Sequence, residues 1–110
     1  MKQVFLLTFS IVILAQAKAQ PAPAIDLANK IADKLRDSIA LSQGQRDQVY
    51  TVNLLLFHQK QQARTQSSDR DSVEVKLQGI ENTRDSLYYG FFAAQQFELY
   101  RQKKHYLLRN

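Results

Sequence analysis

From Ile25 onward, apolar residues return at steps of three and four: Ile25, Ala28, Ile31, Ala32, Leu35 and Ile39 form one such series. A helix brings these positions onto a single face, so the spacing predicts an amphipathic helix over about 24–40. A second series, Val49, Val52, Leu56 and Ala63, predicts a helix over about 43–66, with Gln45 and Lys60 near the same face. The third runs Val73, Leu77, Ile80, Leu87 and Phe91, and Arg84 takes the stripe position left open between them. A fourth helix over about 94–108 carries Phe97, Tyr100 and Leu107 on one side. Its cations Arg101, Lys103, Lys104 and Arg109 lie mostly elsewhere, near a helix end whose negative pole they suit. No run alternates with period two for long enough to make a strand, and the expected fold class is all-α.

Polar residues punctuate these stripes. Ser42 and Gln45 have the spacing of a capping box, in which the hydroxyl accepts the Gln45 amide N–H and the Gln45 side chain reaches back to the Ser42 N–H. Ser68 followed by Asp71 repeats the pattern before the third helix. Gly79 inside that helix costs about 1 kcal/mol against Ala, and Gly90 is placed to end or kink it.

The first residues obey a different rule. Lys2 precedes an apolar run from Val4 to Leu14, too short for the roughly 20 residues that span a bilayer. Ala17-Lys18-Ala19 then offers small residues at a signal peptidase's spacing. The expected organisation is a signal peptide over 1–19, an extended tether over 20–24 stiffened by Pro21 and Pro23, and a helical domain over 25–110. Export to a bacterial periplasm follows from this reading.

A chain of 110 residues has no room for a barrel enzyme or a two-domain dehydrogenase. With no cysteine, disulfides contribute nothing, so helix packing and self-association must supply the stability. Loss of Lys2 and Lys18 with the leader lowers the formal charge from +5 to +3, a mild basicity that suits acidic surfaces and argues against nucleic acid. His58 and His105 sit on different helices without the partners of a two-point metal site, so no metal or other cofactor is expected. Three glycines leave little material for a phosphate loop. The carboxylate pairs Asp33/Asp37 and Asp69/Asp71 read as helix surface and caps, so the chain is not expected to be an enzyme.

Leu41-Ser42-Gln43-Gly44-Gln45 and Phe92-Ala93-Ala94-Gln95-Gln96 align at an offset of 51, each where a helix begins. The second copy lacks the hydroxyl, and packing of Phe92 on Phe97 is expected to pin its entry instead. With this pair the chain resembles the Spy/CpxP family of small periplasmic helical proteins, whose signature is a repeated Leu-Thr-x-x-Gln motif. Thr83-Arg84-Asp85-Ser86-Leu87 leading into Gln96-Phe97-Glu98-Leu99-Tyr100 is similar to members found in the Bacteroidetes. The resemblance implies a four-helix bent hairpin, dimerised into a shallow cradle, that serves as an ATP-independent chaperone or an envelope-stress accessory. It also implies an architectural role for Leu41, Ser42, Gln45, Phe92 and Gln96, placing the helix starts side by side.

Seven aromatic residues crowd the last quarter of the chain. Core and dimer seam account for them first, and exposed rings would give adaptable contacts for unfolded clients. Phe91, Phe92, Phe97 and Tyr100 are the apolar candidates for client contact, with Arg46, Lys60 and Arg64 as recruiting cations. The expected partners are unfolded or partly folded periplasmic proteins. The alternatives are a regulatory accessory docking on an envelope sensor and a metal-responsive periplasmic protein.

Overall fold

The computed structural model describes residues 22–108, which form four helices: α1 (Ala22–Ile39), α2 (Gln43–Gln66), α3 (Arg70–Phe91) and α4 (Ala94–Leu107). The leader over 1–19 and the first two tether residues lie outside the described residues. Among those described there is no strand, and no helix is long and apolar enough to cross a membrane.

The polar punctuation largely sets the boundaries. Ser42 Oγ accepts the Gln45 N–H at 3.1 Å and Gln45 Oε1 accepts the Ser42 N–H at 2.9 Å, so the expected capping box starts α2. The tether ends earlier than expected, because α1 already includes Ala22–Ala24. Pro23 falls in its first turn, where a missing N–H leaves no intrahelical bond unmade. The Ser68/Asp71 box is not formed. Asp69 is the N-cap of α3 and makes no side-chain cap bond; its carboxylate accepts from Ser72 Oγ at 2.6 Å, which holds Asp69 below the usual carboxylate range. The helix runs through Gly90 and stops at Phe91.

The four helices follow one another up and down. Asp33 meets Arg46 across α1–α2, Asn53 meets Arg84 and Tyr88 across α2–α3, and Asp85 meets Tyr100 and Lys104 across α3–α4. Lys34 and Lys103 donate to the Tyr106 and Ser38 carbonyls, closing α4 onto α1. The ends of α1 and α3 and the starts of α2 and α4 therefore share one end of the molecule. At 14 residues α4 is shorter than the 22-residue α3, and no residue from Arg70 to Gly79 is buried.

The core joins Ile31, Ala32, Leu35, Ile39 and Leu41 to Val49, Tyr88, Phe92, Tyr100 and Leu107. The first, second and fourth stripes face it much as the spacing predicts, with Val52 half-buried. On α3 the expected Leu87 is exposed and Tyr88 is fully buried in its place. Nor does Phe92 staple onto Phe97. Its ring stacks on Tyr88 at 4.8 Å between centroids, while Phe97 packs against Tyr89 at 5.2 Å and Tyr100 at 5.8 Å. Rings at these separations contribute about 0.5–1.5 kcal/mol per pair beyond the area they bury.

Two backbone positions carry the wrong residue for their conformation. Ala40 adopts φ 58° so that the Leu41 N–H can reach the Arg36 carbonyl at 3.2 Å, a C-terminal cap that glycine fills without a Cβ penalty. Gly79 sits in a helix interior where an added Cβ meets nothing within 4 Å. Ala40→Gly and Gly79→Ala are each expected to stabilise the fold by about 0.5–1 kcal/mol, raising the thermal midpoint by about 2–8 °C. A lowered midpoint for either would contradict the assigned backbone.

Candidate functional site: a paired-glutamine junction, a polar layer and an apolar groove

At the shared helix end the two motif glutamines meet. Gln45 Nε2 donates to Gln96 Oε1 at 2.8 Å and to the Phe91 carbonyl at 3.1 Å. Gln96 Nε2 donates to Gln45 Oε1 at 3.1 Å and to the Ala40 carbonyl at 3.0 Å. Each Oε1 also accepts the N–H of its own N-cap residue, Ser42 at 2.9 Å and Ala93 at 2.8 Å. Every residue in one half corresponds to its counterpart 51 positions away, so the arrangement is a local two-fold. The amide orientations are unambiguous, because backbone N–H groups can only donate and carbonyls only accept. Ala93 has no side-chain acceptor, so α4 keeps just the glutamine half of the box. Leu41 and Phe92, the apolar members of the two motif copies, are both buried beneath the junction.

Lower in the molecule, polar groups replace apolar ones between α2 and α3. Asn53 Nδ2 donates to the Val49 carbonyl at 2.8 Å and to Tyr88 Oη at 2.7 Å, while its Oδ1 accepts from Arg84 Nε at 3.1 Å. Arg84, only 2 % exposed, also donates to Glu81, which accepts from Lys60 as well. No buried side-chain nitrogen or oxygen among the described residues lacks a partner. Burial pushes the Tyr88 hydroxyl up to about 12, against the lowering pull of the Asn53 hydrogen bond and the Arg84 charge. Tyr100 is raised as well, first by burial and then by its hydrogen bond to Asp85 at 2.7 Å and the charge of that carboxylate.

These placements revise the expected contact residues. Phe92 and Tyr100 are core, with no surface to offer a client, because their rings fill the space beside Tyr88. Phe91 and Phe97 are half-buried at the edge of the same cluster. Arg46 is held by Asp33 at 2.9 Å and Asn29 at 2.8 Å, which makes it a clamp on α1. Lys60 is engaged by Glu81, and Arg64 stays exposed. Sequence reasoning did not pick out Asn53 or Glu81, and had Tyr88 only as one of the seven clustered aromatics; the available signal was a polar residue at each of two heptad-spaced core positions, Asn53 and Lys60.

Apolar surface persists in a shallow groove between α2 and α3. Val52, Leu87 and Phe91 form its apolar part and Asp47, Gln48 and Thr51 its polar edge, around a volume of about 410 Å³. Leu55, 44 % exposed, extends the same face of α2 three residues beyond Val52. Tyr89 is 71 % exposed beside Phe97 on the neighbouring α3–α4 surface. Among the described residues no group of three or more His, Cys, Asp or Glu is placed to hold a metal ion.

The fold and this junction define the class of protein as an all-α four-helix domain built on a duplicated helix–turn–helix start. Comparison with protein-family models, with curated proteins and with solved structures gives no match.

Gln45→Ala and Gln96→Ala should each destabilise the fold by about 1–2 kcal/mol. In urea denaturation of the double-mutant cycle, a coupling energy of about 1 kcal/mol is expected, and strict additivity would rule out the reciprocal pair. Because the Tyr88 hydroxyl ionises near 10 in the unfolded chain and about 12 in the fold, its contribution is complete below pH 10 and is lost as pH rises toward 12. This loss amounts to about 2–3 kcal/mol. Tyrosinate absorbance should accordingly show a late component of two tyrosines, Tyr88 and Tyr100, that Tyr88→Phe reduces by one; an unchanged late amplitude in that variant would refute the assignment.

Proposed function

We propose that the protein is exported and binds unfolded or partly folded polypeptides in the bacterial envelope without nucleotide, as a chaperone or envelope-stress protein. The observation that carries this reading is the groove of Val52, Leu87 and Phe91, extended by Leu55 and edged by polar side chains. An apolar strip with a polar rim takes up extended or partly folded chain without demanding a sequence. Arg64 and the other exposed cations of a mildly basic mature chain raise the encounter rate with acidic segments, an effect that salt screens. Lys2, the Val4–Leu14 run and Ala17-Lys18-Ala19 support export. The motif pair and its junction support the resemblance to the Spy/CpxP family.

The test is aggregation of a reduced or denatured model client with and without equimolar protein. The protein should delay aggregation at low salt and less so at high salt, and a Leu55→Glu/Leu87→Glu variant should lose most of the effect while remaining folded. Aggregation unchanged at low salt would remove the chaperone function. Protein recovered from the periplasm should begin at Gln20, and an intact leader there would remove the proposed processing.

A further inference from the structure

A second concavity lies where α1, α2 and α3 meet the end of α4, and it shares no lining residue with the groove of Val52 and Leu87. Its polar wall is Lys60, Arg64, Glu81 and Arg84. Three cations face one carboxylate, and that carboxylate is bridged by both Lys60 and Arg84, so the wall carries a formal excess of two positive charges. Arg84 is almost wholly buried and Lys60 largely so, which places one of these two charges where water screens it weakly, while the exposed Arg64 carries the other. The Lys60 ammonium has three N–H donors for a site in which Glu81 takes one, and Arg64 stands exposed with a fork that matches a carboxylate. The rest of the lining is apolar, formed by Leu27, Ile31, Phe57 and Leu108.

From this pairing we infer a binding site for a small apolar monocarboxylate, its acid group at Arg64 and Lys60 and its hydrocarbon against Leu27, Phe57 and Leu108. The cavity volume of about 290 Å³ holds about ten non-hydrogen atoms at about 30 Å³ each, water's share of its liquid. That is the size of a medium-chain fatty acid or an arylalkanoic acid. A carboxylate supplies the missing negative charge, and a chain of this length covers the apolar wall. A neutral amphiphile leaves the charge excess unanswered, and a cationic one meets it with repulsion. The site does not rest on the polypeptide-binding reading, and it stands or falls separately from it.

Octanoate is the probe, titrated into the full mature protein by calorimetry and by amide NMR. Saturable one-to-one binding is expected with a Kd of about 0.1–1 mM, with shifts at Leu27, Phe57 and Leu108. Octanol and octylamine should bind at least about tenfold more weakly. Arg64→Gln, at an exposed position, should weaken octanoate about tenfold, and Arg64→Lys should keep most of the affinity. Several outcomes overturn the site: no saturation at millimolar octanoate, equal binding of octanol, no effect of Arg64→Gln, or shifts confined to Val52, Leu87 and Phe91. Binding of a peptide through its free terminal carboxylate, with octanoate inert, overturns it in favour of a protein ligand. Loss of aggregation suppression with octanoate binding intact leaves it standing.

Discussion

Two primary amides facing each other at one end of the molecule determine how the four helices come together. The Gln45–Gln96 pair spans the starts of α2 and α4, and each amide also holds the last carbonyl before the other motif copy and the N–H of its own N-cap. Four backbone groups that helix termini would otherwise leave to water, two N–H and two carbonyls, are thereby satisfied by two side chains. Once the junction closes, Leu41 and Phe92 are directed inward, and the aromatic cluster of Tyr88, Phe92 and Tyr100 assembles directly beneath it.

Away from that end the molecule changes character. Between α2 and α3 the stripe positions are taken by Asn53, Lys60, Glu81 and Arg84, and packing there depends on satisfied hydrogen bonds more than on apolar area. No residue in the first half of α3 is more than partly buried, and Val75 is 73 % exposed within it. The fold is thus closed and aromatic at the glutamine end and open, charged and creviced at the other. Surfaces available to other molecules lie along α2 and α3 and beside Arg64.

Much of the architecture was legible in the chain, because three- and four-residue periodicity reports directly on which face of a helix is apolar. Helix number, the boundaries of α2 and the spacing of the two motif copies could be read in this way. Arg84 was visible as the odd member of the α3 stripe, but its partner was not. Leu87 and Tyr88 are both helical neighbours of Arg84, and hydrophobicity favours Leu87. Tyr88 turns inward because Asn53 on the facing helix offers an amide to its hydroxyl, a fact that exists only once two helices are paired. The same limit hid the commitments of Arg46 to Asp33 and Asn29: a cation reads as surface charge until another helix supplies its acceptor. The aromatic cluster read first as core, but its members could not be told apart from the chain: Phe92 and Tyr100 are buried against Tyr88, while Phe91 and Phe97 lie at its edge.

The layer built on Asn53 and Arg84 has a consequence for motion. Leucine against leucine tolerates a helix sliding by a turn, since one apolar neighbour serves as well as the next. An amide that must meet a guanidinium, a phenol and a carbonyl together has a single alignment, and any slip strands a buried charge at a cost of several kcal/mol. The pairing of α2 with α3 therefore behaves as a keyed joint: it can hinge apart from its unburied far end, but it cannot shear.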